Sequence, residues 1–138
     1  MAKIVLTNAK LLVNAVDLSS YVRQISIDYS AAEVESTAMG NAGQARIAGL
    51  LDWSMDVTLA QDWALTEVDA TLFPLVGAAF FAVEARPVNT GRSTTNPAYV
   101  GNGILPSYKP IGQKVGALAE AVIKIVGADG TALQRLTA

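Results

Sequence analysis

The chain has no cysteine and no histidine. The first absence excludes disulfides, thiolate metal ligands and cysteine nucleophiles, and leaves the redox compartment without a marker. The second removes the commonest general base near neutral pH and the commonest metal-binding side chain. Only carboxylate or lysine catalysis is left open, and no enzymatic activity is expected. Charge is also sparse: Asp, Glu, Lys and Arg make up 16% of the 138 residues, where about 25% is usual in soluble domains. With 51% apolar residues, that balance fits either a large core or an apolar surface covered by further copies of the same chain. No apolar run approaches the ~20 residues of a membrane-spanning helix. The apolar patch near the start is interrupted by Asn8 and Lys10 and followed by Asn14 and Asp17. This is strand patterning rather than a signal peptide, so no membrane association is expected, and the protein is expected to assemble in the compartment where it is made.

Alternation dominates what is present. In Asp52–Ala60, Trp53, Met55, Val57 and Leu59 share one parity while Ser54, Asp56, Thr58 and Ala60 share the other. A period of two defines a half-buried strand. Tyr21–Ser30 repeats the pattern, with Ile25, Ile27 and Tyr29 opposing Ser26, Asp28 and Ser30, and Glu33–Thr37 continues it after an Ala-Ala kink. The apolar sets, together with Leu72 and Phe81, are the expected core. Further strands are expected at Lys3–Thr7 and Lys10–Val16 (joined at Asn8-Ala9), Ala79–Arg86, within Val115–Val126, and at Thr131–Thr137. Thr66-Glu67-Val68-Asp69 resembles a capping box and predicts a short helix shortened or kinked by Pro74 and stopped by Gly77. Such a helix would plug the open end or side of a sheet sandwich.

Two segments break the alternation. Met39–Gly49 holds three glycines in eleven residues and predicts a mobile loop between two well-patterned strands. Residues 87–116 hold four of the five prolines and five of the eleven glycines, predicting a bulged strand pair over Ala98–Val100 and Ile104–Leu105 with Pro106 and Pro110 on an edge. Nothing else divides the chain, and 1–138 is expected to be one domain.

Charge is unevenly placed. Residues 47–85 carry six acids (Asp52, Asp56, Asp62, Glu67, Asp69, Glu84) and no base, whereas 86–138 carry six bases against Glu120 and Asp129. An acidic face can meet a basic face on a neighbouring copy, or repel a polyanion. Chemistry has no foothold. Gly101-Asn102-Gly103 lacks the Lys-Ser/Thr and the helix of a phosphate loop and reads as a turn. Asp52, Asp56 and Asp62 lack calcium-loop spacing, and no basic residues surround Trp53 and Trp63 for nucleic-acid stacking. No metal, no cofactor and no catalytic residue is expected.

The order Thr37-Ala38-Met39-Gly40, Arg46, Gly49-Leu50, Asp52-Trp53-Ser54 resembles the major tail (tail tube) proteins of long-tailed bacteriophages. So do Val68–Leu75 (VDATLFPL), Asn96-Pro97-Ala98-Tyr99, Gly101–Leu105 and Tyr108–Gly112; the likeness runs from about Asp17 to Ala138. The resemblance implies a mainly β fold: two packed antiparallel sheets or a flattened β-barrel with one short flanking helix. It implies hexameric rings of this chain stacked into a hollow tube in the virion tail, assembled in the host bacterial cytoplasm. Its implied partners are a tape-measure protein, a tail terminator and DNA in transit. Six copies giving four strands each at ~4.8 Å spacing would enclose a backbone diameter of about 37 Å, more once tilted. The inner strands are then expected to be Tyr21–Thr37 and Asp52–Ala60, with Ser26, Asp28, Ser54, Asp56 and Thr58 facing the lumen. A neutral or acidic lining suits transit, because a basic wall would gain counterion-release energy at each phosphate. Met39, Gly40, Asn41, Gly43, Gln44, Arg46 and Gly49 are the expected ring-stacking loop, with Arg46 as its charged anchor. Competing expectations are another phage ring or capsid-decorating protein, a monomeric β-sandwich binding module with a concave aromatic site, and a carboxylate hydrolase using Asp56 and Glu84.

Overall fold

The computed structural model describes residues 3–138. Eight strands form one antiparallel sheet that does not close. In chain order they are β1 (Lys10–Val13), β2 (Val16–Asp17), β3 (Val22–Glu35), β4 (Arg46–Ala60), β5 (Phe81–Arg86), β6 (Ala98–Ile104), β7 (Glu120–Gly127) and β8 (Gln134–Leu136). A helix, α1 (Val68–Leu72), runs into a 3₁₀ turn over Phe73–Leu75. The strand order is β2-β1-β5-β6-β7-β4-β3, with β8 pairing β6. The sheet folds back on itself, since Ile27 of β3 and Tyr99 of β6 line the same cavity. This is the expected mainly β architecture with one short helix.

Alternation decides which face is dry. Trp53, Met55, Val57 and Leu59 of β4 are buried, as are Ile123 and Ile125 of β7 and Phe81, Val83 and Ala85 of β5. Val68, Leu72 and Leu75 close the same cluster from the helix side. Of the expected core, Ile25 and Ile27 are only half-buried and Tyr29 is exposed. The reason is position: β3 ends the strand order, so its inward side chains sit at the open seam.

Several local expectations are corrected. Lys3–Thr7 is not a strand, and the first hairpin turns at Asn14-Ala15, not Asn8-Ala9. Both turn residues have positive φ (51° and 67°), which matches the twist of a two-residue hairpin. The capping box does not form. Glu67 is the N-cap without a side-chain bond, and the Thr66 hydroxyl donates to the Leu65 carbonyl instead. The loop expected at 39–49 is displaced to 36–45: the chain leaves β3 at Glu35 and re-enters the ladder at Arg46, so Arg46 and Gly49 are strand residues.

Gly101-Asn102-Gly103 is mid-strand in β6, not a turn. Its glycines serve Trp53, which is 2% exposed. A Cβ on Gly101 would lie 2.6 Å from the indole Cζ2, one on Gly127 2.7 Å from Nε1, and one on Gly103 3.2 Å from Cη2. Gly101 and Gly127, on two adjacent strands, therefore form a trough for the ring, while Gly103 is required chiefly by Ile125 Cγ2 and the Val126 carbonyl, each 2.7 Å from an added Cβ. The indole N–H has no acceptor among the described residues, at a cost of about 1–3 kcal/mol, so ring packing must carry the site. Asn96 organises the next segment: its side chain accepts from the Val88 N–H and donates to the carbonyls of Val88 and Gly91, each at 3.0 Å.

Gly101→Ala should overpack the trough and destabilise the fold by about 2 kcal/mol. Gly43→Ala, where nothing lies within 4 Å of an added Cβ, should shift stability by less than ~0.5 kcal/mol. Urea titration measures both, and equal midpoints for the two variants would contradict the trough.

Candidate functional site

The polar parity of β3 and β4 forms one outward wall. Cross-strand register aligns Ser26 with Asp56 and Lys124, Asp28 with Ser54 and Val126, and Gln24 with Thr58 and Val122. All five side chains expected to line a channel therefore lie together on this face. Ser26, Asp28 and Asp56 are exposed, while Ser54 and Thr58 are half-buried. Asp28, Ser30, Asp52, Ser54, Lys124 and Val126 surround a shallow depression of about 260 Å³. Arg23 and Glu120 pair across the lower wall at 3.1 Å. The sequence reading missed Lys124 as a wall residue. Its signal was its parity between the buried Ile123 and Ile125, which turns it toward the Asp56 side.

Past Ser54 the support of β7 ends, because Ser54↔Val126 is the last β4–β7 pair on that side. From there Tyr29–Glu35 and Arg46–Trp53 pair only with each other, as a two-stranded arm. An isolated ribbon of this kind is marginal in water. Its side chains do not bury one another: Val34, Ile47 and Leu51 are exposed, and Leu50 is 88% exposed. Arg46 pairs with Glu33 at 3.6 Å and also contacts Gln44. At the tip the Ala45 N–H donates to Thr37 Oγ1 at 2.8 Å and the Ser36 N–H to the Ala45 carbonyl at 2.8 Å. Met39, Gly40, Asn41, Gly43 and Gln44 lie on this tip, while Arg46 and Gly49 lie on the arm proper.

Edges remain open in two places. Among the described residues the outer edge of β3 has no ladder partner. β7 meets β6 only at Gly127 and Val126, so the side of Ala121–Ile125 away from β4 is unladdered. Open edges of this length invite another strand.

At the opposite end of β4 the chain is tied by hydrogen bonds. The Tyr21 hydroxyl lies 2.6 Å from Glu67 Oε2 and 2.7 Å from Asp62 Oδ2. Those bonds, Glu67's first, push the phenol pKa well above its ordinary value. Tyr108 donates to Asp69 Oδ1 at 2.9 Å and accepts from Gln61 Nε2 at 2.7 Å; burial first, and Asp69, raise its pKa to about 12. These phenols stay protonated and act as braces.

The carboxylate pair Asp56 and Glu84 is not brought together. Asp56 is exposed on the outward wall, whereas Glu84 is buried on β5, three strands from β4 in the sheet order. It is clamped by Arg86 and by Arg92, the latter at 2.6 Å, and Arg92 also donates to the Ala138 carbonyl at 3.2 Å. Among the described residues no group of three His, Cys, Asp or Glu side chains is placed to hold a metal ion.

No family model and no curated protein sequence matches the chain. Solved structures do. A chain of the virion of a native gene transfer agent particle superposes with a TM-score of 0.70 at 13% identity, over 92% of this chain and 95% of that one. A chain from the tail of an empty gene transfer agent particle, with C6 symmetry, gives 0.67 at 17% identity over 95% of both chains. The Dit (gp 19.1) protein of SPP1, described as a hub of the adsorption apparatus in phages infecting Gram-positive bacteria, gives 0.50 at 13% identity over 90% of this chain and 51% of that one. The fold is thus one found in phage-type tail and virion proteins.

Burial pushes the Glu84 pKa up, but the hydrogen bonds and charges of Arg92 and Arg86 outweigh it and hold it below the ordinary 4.5. A depressed native pKa gives stability that is present above the unfolded-state value and lost as pH falls through the native one. Glu84→Gln should therefore destabilise by ~3 kcal/mol near neutral pH, by leaving two partly buried guanidinium groups unneutralised. The gap to wild type should close in acid. Thermal melts across that range measure it, and a gap independent of pH would contradict the clamp.

Proposed function

We propose that this chain is the tail-tube subunit of a phage-type particle, self-assembling into rings that stack into a hollow tube through which DNA passes. The observation that carries this is the combination of two unladdered strand edges with an apolar arm standing clear of the sheet. A heterologous contact with a closing rotation makes a ring. Here the β3 edge of one copy would add to the β7 edge of the next, so that the β3–β4–β7 walls join into one inner barrel of three strands per copy rather than the four expected, with a backbone diameter of about 28 Å untilted and about 36 Å at a tilt of ~40°. The C6 symmetry of the gene transfer agent tail, whose chain shares this fold, favours six copies. The wall then faces the lumen. Its exposed Asp28, Asp52 and Asp56 outnumber Lys124, and the Asp56–Lys124 register pair leaves the lining acidic to neutral, which disfavours phosphate capture.

The arm and its tip reach the next ring. Residues that are marginal in the free subunit become covered in the tube, and the ordering cost is offset by contact. A tape-measure protein filling the lumen during assembly, a terminator capping the tube, and assembly in a bacterial cytoplasm follow from the same proposal.

Replacing residues 38–44 with an Asn-Gly turn, which spares the ladder from Glu35↔Arg46 inward, should leave a folded protein whose circular dichroism matches wild type but which makes no tubes in negative stain. Normal tubes from that variant would refute a stacking role for the tip. Asp56→Lys should still give tubes, while particles built from it should eject DNA more slowly. Ejection at the wild-type rate would take Asp56 out of the lumen.

A further inference from the structure

The tip of the arm and the far end of β4 are the two poles of the molecule. β4 is fifteen residues long, or about 50 Å at ~3.3 Å per residue. Met39 sits beyond its start and is fully exposed. Beyond its end, where Gln61 N–H bonds the Ala119 carbonyl, Trp63 and the 110–119 segment enclose a recess of about 180 Å³. Trp63, Ile111 and Val115 line it, and all three are exposed. Three exposed large apolar side chains gathered at one recess are a candidate contact surface.

Resting on the tube reading above, we infer that the recess formed by Trp63, Ile111 and Val115 is the socket that receives Met39 from the arm of a second copy in the adjacent ring. Three features commit it to that occupant. The recess and the tip lie at opposite ends of one strand, so copies related by translation along that strand bring them together, and the contact is head-to-tail and non-closing, as a stack requires. Met39 is an unbranched thioether, suited to fill an irregular apolar gap beside an aromatic ring. The charges flanking the two surfaces are complementary: Glu33 and Glu35 against the single Arg46 on the arm, Lys109 and Lys114 with no acid across residues 105–119. The acids nearest the socket in sequence are already engaged, Asp62 and Glu67 by Tyr21 and Glu120 by Arg23. Opposite charge at the rim sets register and suppresses wrong pairings.

The absence of native cysteine makes the test direct. Met39→Cys is combined with Ile111→Cys, with Val115→Cys, or with Val122→Cys, a wall position that is also exposed. Assembled material is oxidised and run on a non-reducing gel. The first two pairs should give a ladder of disulfide-linked multimers; the Val122 pair should stay monomeric. Tubes that assemble without a ladder from either socket pair, or with an equal ladder from the Val122 control, overturn the socket while leaving the tube. A wild-type chain that forms neither rings nor tubes overturns the tube reading and the socket with it. As an independent arm, Met39→Glu should leave rings but reduce tube mass at least tenfold; tube mass equal to wild type would count against Met39 as the plug.

Discussion

Trp53 marks where the supported sheet stops. Its ring lies in a trough that only glycine at 101 and 127 permits, and it sits one residue before the final β4–β7 pair, Ser54↔Val126. On one side of it β4 is a central strand with a buried face. On the other side the same strand, in the same register with β3, has no third strand and no core. A rigid anchor with an unsupported extension is a lever. The orientation of the arm is set by how the indole seats β4 on β6 and β7, so the packing of one buried ring governs the geometry of an exposed surface some distance away.

The same strands separate two kinds of surface. One face of β3, β4 and β7 is apolar and closes the core with α1. The other is hydroxyl and carboxylate with one lysine in the middle. The phenols of Tyr21 and Tyr108 are braces at the pole opposite the arm tip. What the molecule offers other molecules is backbone edge, apolar arm and graded charge. The two gene transfer agent chains that share the fold are parts of a virion and a tail.

Much of this was legible in the residues. The inward set of β4 and the polar set opposite it follow from period two alone, and the structure places all five proposed channel residues on one face. The helix was visible from Val68, Leu72 and Pro74. Less legible was anything that depends on where a strand sits in the sheet. Ile25, Ile27 and Tyr29 have the pattern of core residues, but β3 is the last strand, so Tyr29 is exposed. Arg46 and Gly49 read as loop because glycine density masks the ladder, in which Arg46 pairs with Glu35 and Gly49 lies opposite the irregularity between Ala31 and Glu33. Gly101 and Gly103 read as a turn because the indole that requires them is some fifty residues earlier in the chain. Lys3–Thr7 has strand composition and no strand, since composition cannot supply a partner.

The central claim is that backbone groups along the outward edges of β3 and of the arm have no ladder partner among the described residues and become paired when copies join. Amide hydrogen exchange compared between dilute and concentrated protein tests it most directly. The account predicts fast exchange at the open edge of β3 and through Arg46–Asp52 in dilute protein, with protection rising at least a hundredfold on concentration while Met55–Leu59 stays protected throughout. Exchange in those segments that is slow in the dilute protein, or that does not change with concentration, would contradict it.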